Sequence, residues 1–508
     1  MINLYYNNAY KWKEKNNIFT IGYVIYKNVL YEDEDFLNLV INLKDNIKSI
    51  VKEFTGYFAI VIQNQEETIL ISDIIRSFPV FYTKNGDITD DISLISGELN
   101  ELSLEELLHC RWISFDDTIY KDVKQIENAQ IVVIKKGEIY KEKYFNYQND
   151  DKNTICSYEE LDKIYTNIVH KMFKYLNGKT AVIPLSGGQD SRLLLYYTKK
   201  LGYKNIISYT YGNKNSDEVK ISKKVAEFLD VKWYFIEYKR KDCRQIYNKD
   251  FPKMADYFGR GYSIPCIQEV EAIRKLKKDK ILNDDCVIIP GFTMDFLAGN
   301  HLSSKFIKNE QLSKKILKEE IYKFNYNLSH KENNIFDKKL EEKFNICFDD
   351  NNIDIKSAVN IFDTYDFEER QAKYVTNAIR VYDYYGLKWY LPFWDKEIIS
   401  FWSKVSIKDR YQRKFFINFV NYKYLDLMKY APVYKKETNV ARKNIFSKLK
   451  YIILKYYNDP LNFYYYFKYS KYLKYAIIQK NTQYSYFVAN DYVKYIKNKE
   501  KRNGRRIN

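Results

Sequence analysis

Over the first 145 residues, short β-rich runs alternate with polar turns. Runs at 19–26, 56–62 and 68–72 read as strands, and 130–134, a Lys-Lys-Gly turn and 138–141 read as a hairpin. One or two helices complete this stretch. From residue 179 the period changes. Apolar runs of strand length alternate with helical periodicity, predicting strand 180–185, helix 190–201, strand 205–210, helix 216–229 and strand 232–236, preceded by a helix over 157–176. Strand–helix alternation of this kind predicts an α/β unit with a parallel sheet. A further apolar run lies within 281–290, and the chain beyond about residue 305 reads as mostly helical. Residues 440–508 are basic and tyrosine-rich and end in a polar tail, which predicts amphipathic helices capping the surface with a frayed end.

The junction between the strand at 180–185 and the helix at 190–201 carries the clearest chemistry. Residues 186–191 read Ser-Gly-Gly-Gln-Asp-Ser. Two glycines let backbone N–H groups approach an anion, the helix N-terminus adds a favourable dipole, and Ser186 and Ser191 add hydroxyl donors. Asp190 inside such a loop would repel phosphate unless a cation stands between them, so the loop implies Mg²⁺ as well as a pyrophosphate group. No Gly-Lys-Ser/Thr follows, which excludes a Walker loop.

Composition adjusts this picture only slightly. The 508 residues suffice for two or three domains, and no run of about 18 apolar residues predicts a membrane span. Six dispersed cysteines without a C-x-x-C pair, beside four histidines, speak against a zinc site and for reduced thiols in a cytoplasmic protein. The net charge of +17 raises the question of nucleic acid. Its lysines are spread along the chain with abundant Tyr, Asn and Ile, a pattern of biased composition rather than of a binding face.

The loop at 186–191 resembles the PP-loop of the ATP pyrophosphatases, and further pieces in order resemble the asparagine synthetase family. They are Ser-Tyr-Thr-Tyr-Gly at 208–212, Asp-Glu-Val-Lys at 217–220, and Pro-Gly-Phe-Thr-Met-Asp-Phe-Leu-Ala-Gly at 290–299. The last is similar to the family's Ser-Gly-x-Gly-x-Asp-Glu-x-Phe-x-Gly loop, with Gly291, Asp295 and Gly299 retained. Gly-Leu-Lys-Trp-Tyr-Leu-Pro-Phe-Trp-Asp at 386–395 and Ala-Pro-Val-Tyr-Lys-Lys-Glu at 431–437 follow. In the N-terminal part, Thr-Gly-Tyr-Phe-Ala at 55–59 and Asp-Ile-Ile-Arg-Ser-Phe-Pro at 73–79 resemble scaffold positions of a glutaminase domain.

The resemblance implies three units: a truncated, Ntn-hydrolase-like class II glutaminase domain over 1–148, an ATP-pyrophosphatase domain over 155–440, and a basic helical extension over 441–508. It implies ATP held by Leu185, Ser186, Gly187, Gly188, Asp190, Ser191, Tyr211 and Gly291, with Leu185, Tyr211 and Gly291 lining the adenine and ribose pocket. Asp190 and Asp295 would bind Mg²⁺. Lys436, or Lys435 beside it, would be the active-site lysine. The expected reaction is adenylation of a small-molecule carboxylate and attack by ammonia or an amine, releasing AMP and pyrophosphate. With Ile2 where the family has its nucleophilic cysteine, glutamine hydrolysis by this chain is not expected, which leaves room for a separate ammonia source and for a homodimer. Phe296, Lys388 and Tyr390 replace the family's Glu, Glu and Arg, so the acceptor end is expected to differ. Amidation of a sugar carboxylate or peptide, a tRNA-modifying PP-loop enzyme and a non-catalytic scaffold are the alternative readings.

Overall fold

The apolar residues of strands Ile18–Tyr26 and Thr55–Gln63 alternate between two faces, and each face meets a different partner. Phe19, Ile21 and Tyr23, with Tyr57, Ala59 and Val61, turn towards the main core of the chain. Ile18, Val24, Phe58, Ile60 and Ile62 turn towards a second core under helix Asp33–Leu43, which buries Phe36, Leu37 and Val40. The computed structural model describes residues 1–95, 97–150, 156–239, 242, 245–328, 334–423 and 484–507. In it these strands belong to a seven-stranded antiparallel sheet. The order is Glu138–Lys143, Gln130–Lys135, Glu67–Ser72, Thr55–Gln63, Ile18–Tyr26 and Lys13–Lys15, with Val29–Glu32 also pairing to Ile18–Tyr26. A four-stranded sheet that includes Phe81–Thr83 and Val123–Gln125 completes the sheet-rich N-terminal part.

The alternation from residue 179 produces the α/β unit. Strands Thr180–Pro184, Ile206–Gly212 and Lys232–Glu237 are joined by helices Gln189–Lys200 and Asp217–Phe228, within a residue or two of the expected bounds. Cys286–Ile288 and Lys388–Trp389 extend the sheet, and every pair in it is parallel. Its order is Lys232–Glu237, Ile206–Gly212, Thr180–Pro184, Cys286–Ile288 and Lys388–Trp389. The chain thus leaves Thr180–Pro184 towards one side and later returns on the other. That reversal opens a crevice at the carboxyl ends of Thr180–Pro184 and its neighbours, where α/β sheets bind ligands.

The two parts share one core. Tyr10 Oη donates to the Trp389 carbonyl at 2.9 Å and accepts from its N–H at 3.0 Å. Tyr390 lies among Tyr23, Tyr57 and Tyr175, and Lys388 sits over the Tyr10 ring with Glu32 at 3.8 Å. The expectation that Lys388 and Tyr390 reshape an acceptor site is therefore corrected. Lys388–Trp389 is the edge strand of the parallel sheet, and the N-terminal part docks on that edge. Three buried glutamates, Glu127, Glu368 and Glu369, tie the same parts together, matched by Lys143, Lys343 and Lys373.

Helix Tyr484–Ile507 buries Phe487, Val488, Ala489, Tyr492 and Ile496 and bonds to both parts, through Tyr492 to the Gly261 N–H and through Glu500 to Tyr120. It clasps the two parts together; residues 441–483 of the expected basic extension lie outside the described residues. Among the described residues, no helix is long and apolar enough to cross a membrane.

Gly299 fixes the approach of the 410–413 turn to the second carboxylate loop. Its φ is +84°, and a Cβ there would stand 2.5 Å from the Arg410 carbonyl oxygen. Gly299→Ala should destabilise the protein by about 2–4 kcal/mol, read from urea unfolding.

Candidate active site

Strand Thr180–Pro184 ends in residues that cannot continue it, and the chain turns through Gly187 and Gly188 into helix Gln189–Lys200. Gly188 is the N-cap, and no side chain caps this helix end. The loop is braced from within. Ser186 N–H donates to Ser191 Oγ at 3.1 Å, the two serine hydroxyls lie 3.0 Å apart, and Gly188 N–H donates to Ser186 Oγ at 3.1 Å. Arg192 reaches back from the helix, with Nε donating to the Gly188 carbonyl at 2.8 Å and Nη2 to the Gly187 carbonyl at 2.6 Å. Burial lowers the Arg192 guanidinium to about 10, against the opposing pull of Asp190.

The glycines act here through close approach. A Cβ on Gly187 would stand 3.1 Å from Glu218 Cα, and one on Gly291 3.1 Å from Ser191 N. The loop at 290–299 thus lies directly against the start of the PP-loop helix. Its Asp295 is brought to face Asp190 across a gap bridged by one guanidinium, with Arg413 Nη2 on Asp190 and Nη1 on Asp295. Gln412 and Arg413 both have positive φ, 54° and 62°, and this sharp turn aims Arg413 inwards. Its guanidinium also lies 4.4 Å from the Phe416 ring centroid. Arg192 adds a second positive charge on the Asp190 side. Burial pushes Asp190 up to about 6; Arg413 opposes the rise and Asp295 adds to it.

These groups line a cavity of about 450 Å³, within the range of small-molecule sites. Of the residues expected at the nucleotide, Leu185, Ser186, Gly188, Asp190, Ser191, Tyr211 and Gly291 line it with Asp295. Gly187 packs behind the wall against Glu218. Lys435 and Lys436 lie outside the described residues. Two hard oxygen donors already converging on one cationic group form a set that fits Mg²⁺.

The far wall was not legible from the sequence. His301 Nδ1 bonds to the buried carboxylate of Asp366, and Arg370 Nη1 lies 3.3–3.4 Å from both ring nitrogens. Asp366, Arg370 and Gln371 come from a widened, π-helical segment, Asp366–Val375, of a kind that often marks functional sites. Phe296, where an acid was expected, packs on Tyr147, Phe367 and His301. Glu269 completes the wall with Tyr209 and Tyr382. The one usable signal in the sequence was a lone histidine ten residues after Gly291, in a chain with four.

A family model described as "Queuosine biosynthesis protein QueC" matches residues 180–246, which hold the PP-loop and the next two strands. Residues 180–246 are thus similar to a QueC-type PP-loop segment. The 7-cyano-7-deazaguanine synthase of Caldicellulosiruptor saccharolyticus is 50% identical over 52 residues, 10% of this chain and 23% of that protein. That of Staphylococcus epidermidis is 33% identical over 64 residues, 12% of this chain and 28% of that protein. The chain spans about a quarter of the length of these curated relatives. A glutamine-dependent NAD(+) synthetase from Cytophaga hutchinsonii aligns over 56% of this chain and 60% of that one, with a TM-score of 0.21 and 11% identity, and informs neither the fold nor the site.

The PP-loop geometry yields two expectations. Arg192→Ala frees both loop carbonyls and should raise the Kd for ATP·Mg about tenfold, or about 1.4 kcal/mol, by calorimetry. Asp190 has a raised pKa in the fold, so its contribution to stability is full below about 3.8 and is lost as pH rises through about 6. Asp190→Asn should therefore raise the melting temperature of the ligand-free protein above pH 6 and leave it unchanged below pH 4.

Proposed function

We propose that the protein is an ATP-dependent, amide-forming ligase of the asparagine synthase type, which adenylates a carboxylate and transfers the acyl group to ammonia or an amine. The observation that carries this reading is the cavity itself. It joins the PP-loop and the paired carboxylates to His301, whose ring is held by Asp366.

In this reading the triphosphate lies over the N-terminus of helix Gln189–Lys200, held by backbone N–H groups and the Ser186 and Ser191 hydroxyls. Leu185, Tyr211 and Gly291 border the adenosine. Asp190 and Asp295 hold Mg²⁺, which when bound neutralises charge on the pyrophosphate. Arg413 contributes a fixed cation beside the same oxygens, a role the expected reading gave to Lys436. A substrate carboxylate oxygen attacks the α-phosphorus, the bond to the β-phosphate oxygen breaks, and pyrophosphate leaves with the electron pair. The amine nitrogen then attacks the acyl carbon and AMP departs with the bonding pair of the C–O bond.

His301 is suited to take the amine proton. With Nδ1–H directed to Asp366, the Nε2 lone pair faces Arg370 Nη1 at 3.3 Å, so His301 takes the proton only when the incoming amine displaces that guanidinium, and Asp366 then offsets the imidazolium charge. The carbonyl carbon is expected from a small molecule, and the local likeness to 7-cyano-7-deazaguanine synthases covers the nucleotide part alone.

The test is ATP–pyrophosphate exchange with Mg²⁺ over a panel of carboxylates. Asp190→Ala and Asp295→Asn should each reduce exchange at least 100-fold. His301→Ala should keep exchange within about threefold while abolishing amide product. Exchange undiminished in Asp190→Ala, or release of ADP in place of AMP, sinks the reading.

A further inference from the structure

Buried carboxylates in this protein are, as a rule, matched by cations. Glu127 has Lys343 at 2.9 Å, Glu369 has Lys373 at 2.7 Å, Asp363 has Arg410 at 2.6 Å, and Asp395 has Lys171 at 2.9 Å. Asp73 has no such cation but is closed into a turn, where the Phe58, Ile75 and Ser77 N–H groups and the Ser77 hydroxyl occupy it. Glu269 fits neither pattern. It stands just before helix Val270–Lys278, half-buried on the cavity wall, and its partners are two hydroxyls. Tyr209 Oη donates to one carboxylate oxygen and Tyr382 Oη donates to the other at 2.7 Å. Both tyrosine side chains are buried, so they hold the carboxylate in a fixed orientation.

Two hydroxyl donors leave each carboxylate oxygen able to accept again, and the negative charge remains whole. Among the described residues no cationic side chain offsets it, and burial raises its pKa against the two hydroxyl bonds. Tyr211, stacked on Tyr238 with ring centroids 5.1 Å apart, lies within electrostatic reach of the same carboxylate and lines the same cavity. An anion held by two tyrosine hydroxyls and, among the described residues, no cation favours an organic cation, which gains charge pairing and charge-assisted hydrogen bonds. A divalent metal would need more oxygen donors than one carboxylate supplies here.

We propose that Glu269, Tyr209 and Tyr382 form a receptor for a substrate ammonium group, so the small molecule entering this cavity beside ATP carries a primary amine. The receptor itself stands on geometry alone; the identity of that amine as part of a ligated substrate rests on the ligase reading.

Two measurements on the full chain separate these claims. In the first, n-butylammonium and n-butanol are titrated at matched ionic strength and followed by saturation-transfer NMR. The ammonium should give a saturable signal at least fivefold stronger than the alcohol, and Glu269→Gln should remove the difference. In the second, free amino acids and their N-acetyl derivatives are compared in ATP–pyrophosphate exchange. The best free amine should exceed its N-acetyl form at least tenfold, and Glu269→Gln should bring the two within twofold while leaving the KM for ATP within twofold. Equal ammonium signals in wild type and Glu269→Gln overturn the receptor. So does a tenfold rise in the KM for ATP with the amine preference intact, which would make Glu269 a nucleotide contact. Ammonium binding lost in Glu269→Gln, without exchange by any acid, keeps the receptor and removes the ligase reading.

Discussion

The structure around the cavity is organised by the repulsion between Asp190 and Asp295. The two carboxylates come from separate loops to one guanidinium, and the charge of Asp295 adds to the rise that desolvation imposes on Asp190. Arg413 provides that guanidinium, and the protein accepts two consecutive left-handed residues to bring it in. Arg192 acts on Asp190 from the helix behind it, so the paired carboxylates are held by cations from two directions.

Much of the surrounding architecture serves this arrangement. The reversal of strand order at Thr180–Pro184 opens the crevice, and close approach at Gly291 lets the second loop lie on the PP-loop helix. Gly299 then admits the Arg410 backbone, while Arg410 is anchored through Asp363 and Tyr147. Each contact reduces the freedom of the segment that carries Arg413. Placement of a functional side chain to within a fraction of an ångström requires such support from residues that touch no ligand.

The opposite wall follows a different logic. Its polar groups, His301 with Asp366 and Glu269 with two tyrosines, are each paired so that one face remains available to the cavity. They come from the 290–301 loop, the approach to helix Val270–Lys278, and a π-helical turn. The N-terminal sheet contributes nothing to the cavity wall among the described residues; it supports strand Lys388–Trp389 through aromatic packing and the glutamate–lysine network.

Local signals were enough for the parts of this protein that depend on neighbours in sequence. Short β-rich runs between polar turns located the N-terminal strands, and strand–helix alternation with Ser-Gly-Gly-Gln-Asp-Ser located the PP-loop, because backbone geometry and short-range hydrogen bonds decide both. The resemblance of the 290–299 segment to a second carboxylate loop also brought Asp295 into view. Tertiary packing decided the rest. Lys388 and Tyr390 read as acceptor residues but lie against Glu32, Tyr10, Tyr23 and Tyr57, since their strand is the edge of the parallel sheet and the N-terminal part docks on that edge. His301 and Asp366 lie 65 residues apart, and Arg413 lies 223 from Asp190, so only folding brings their charges within reach. Electrostatic interaction depends on separation in space and on burial, and neither quantity is carried by the order of residues along a chain.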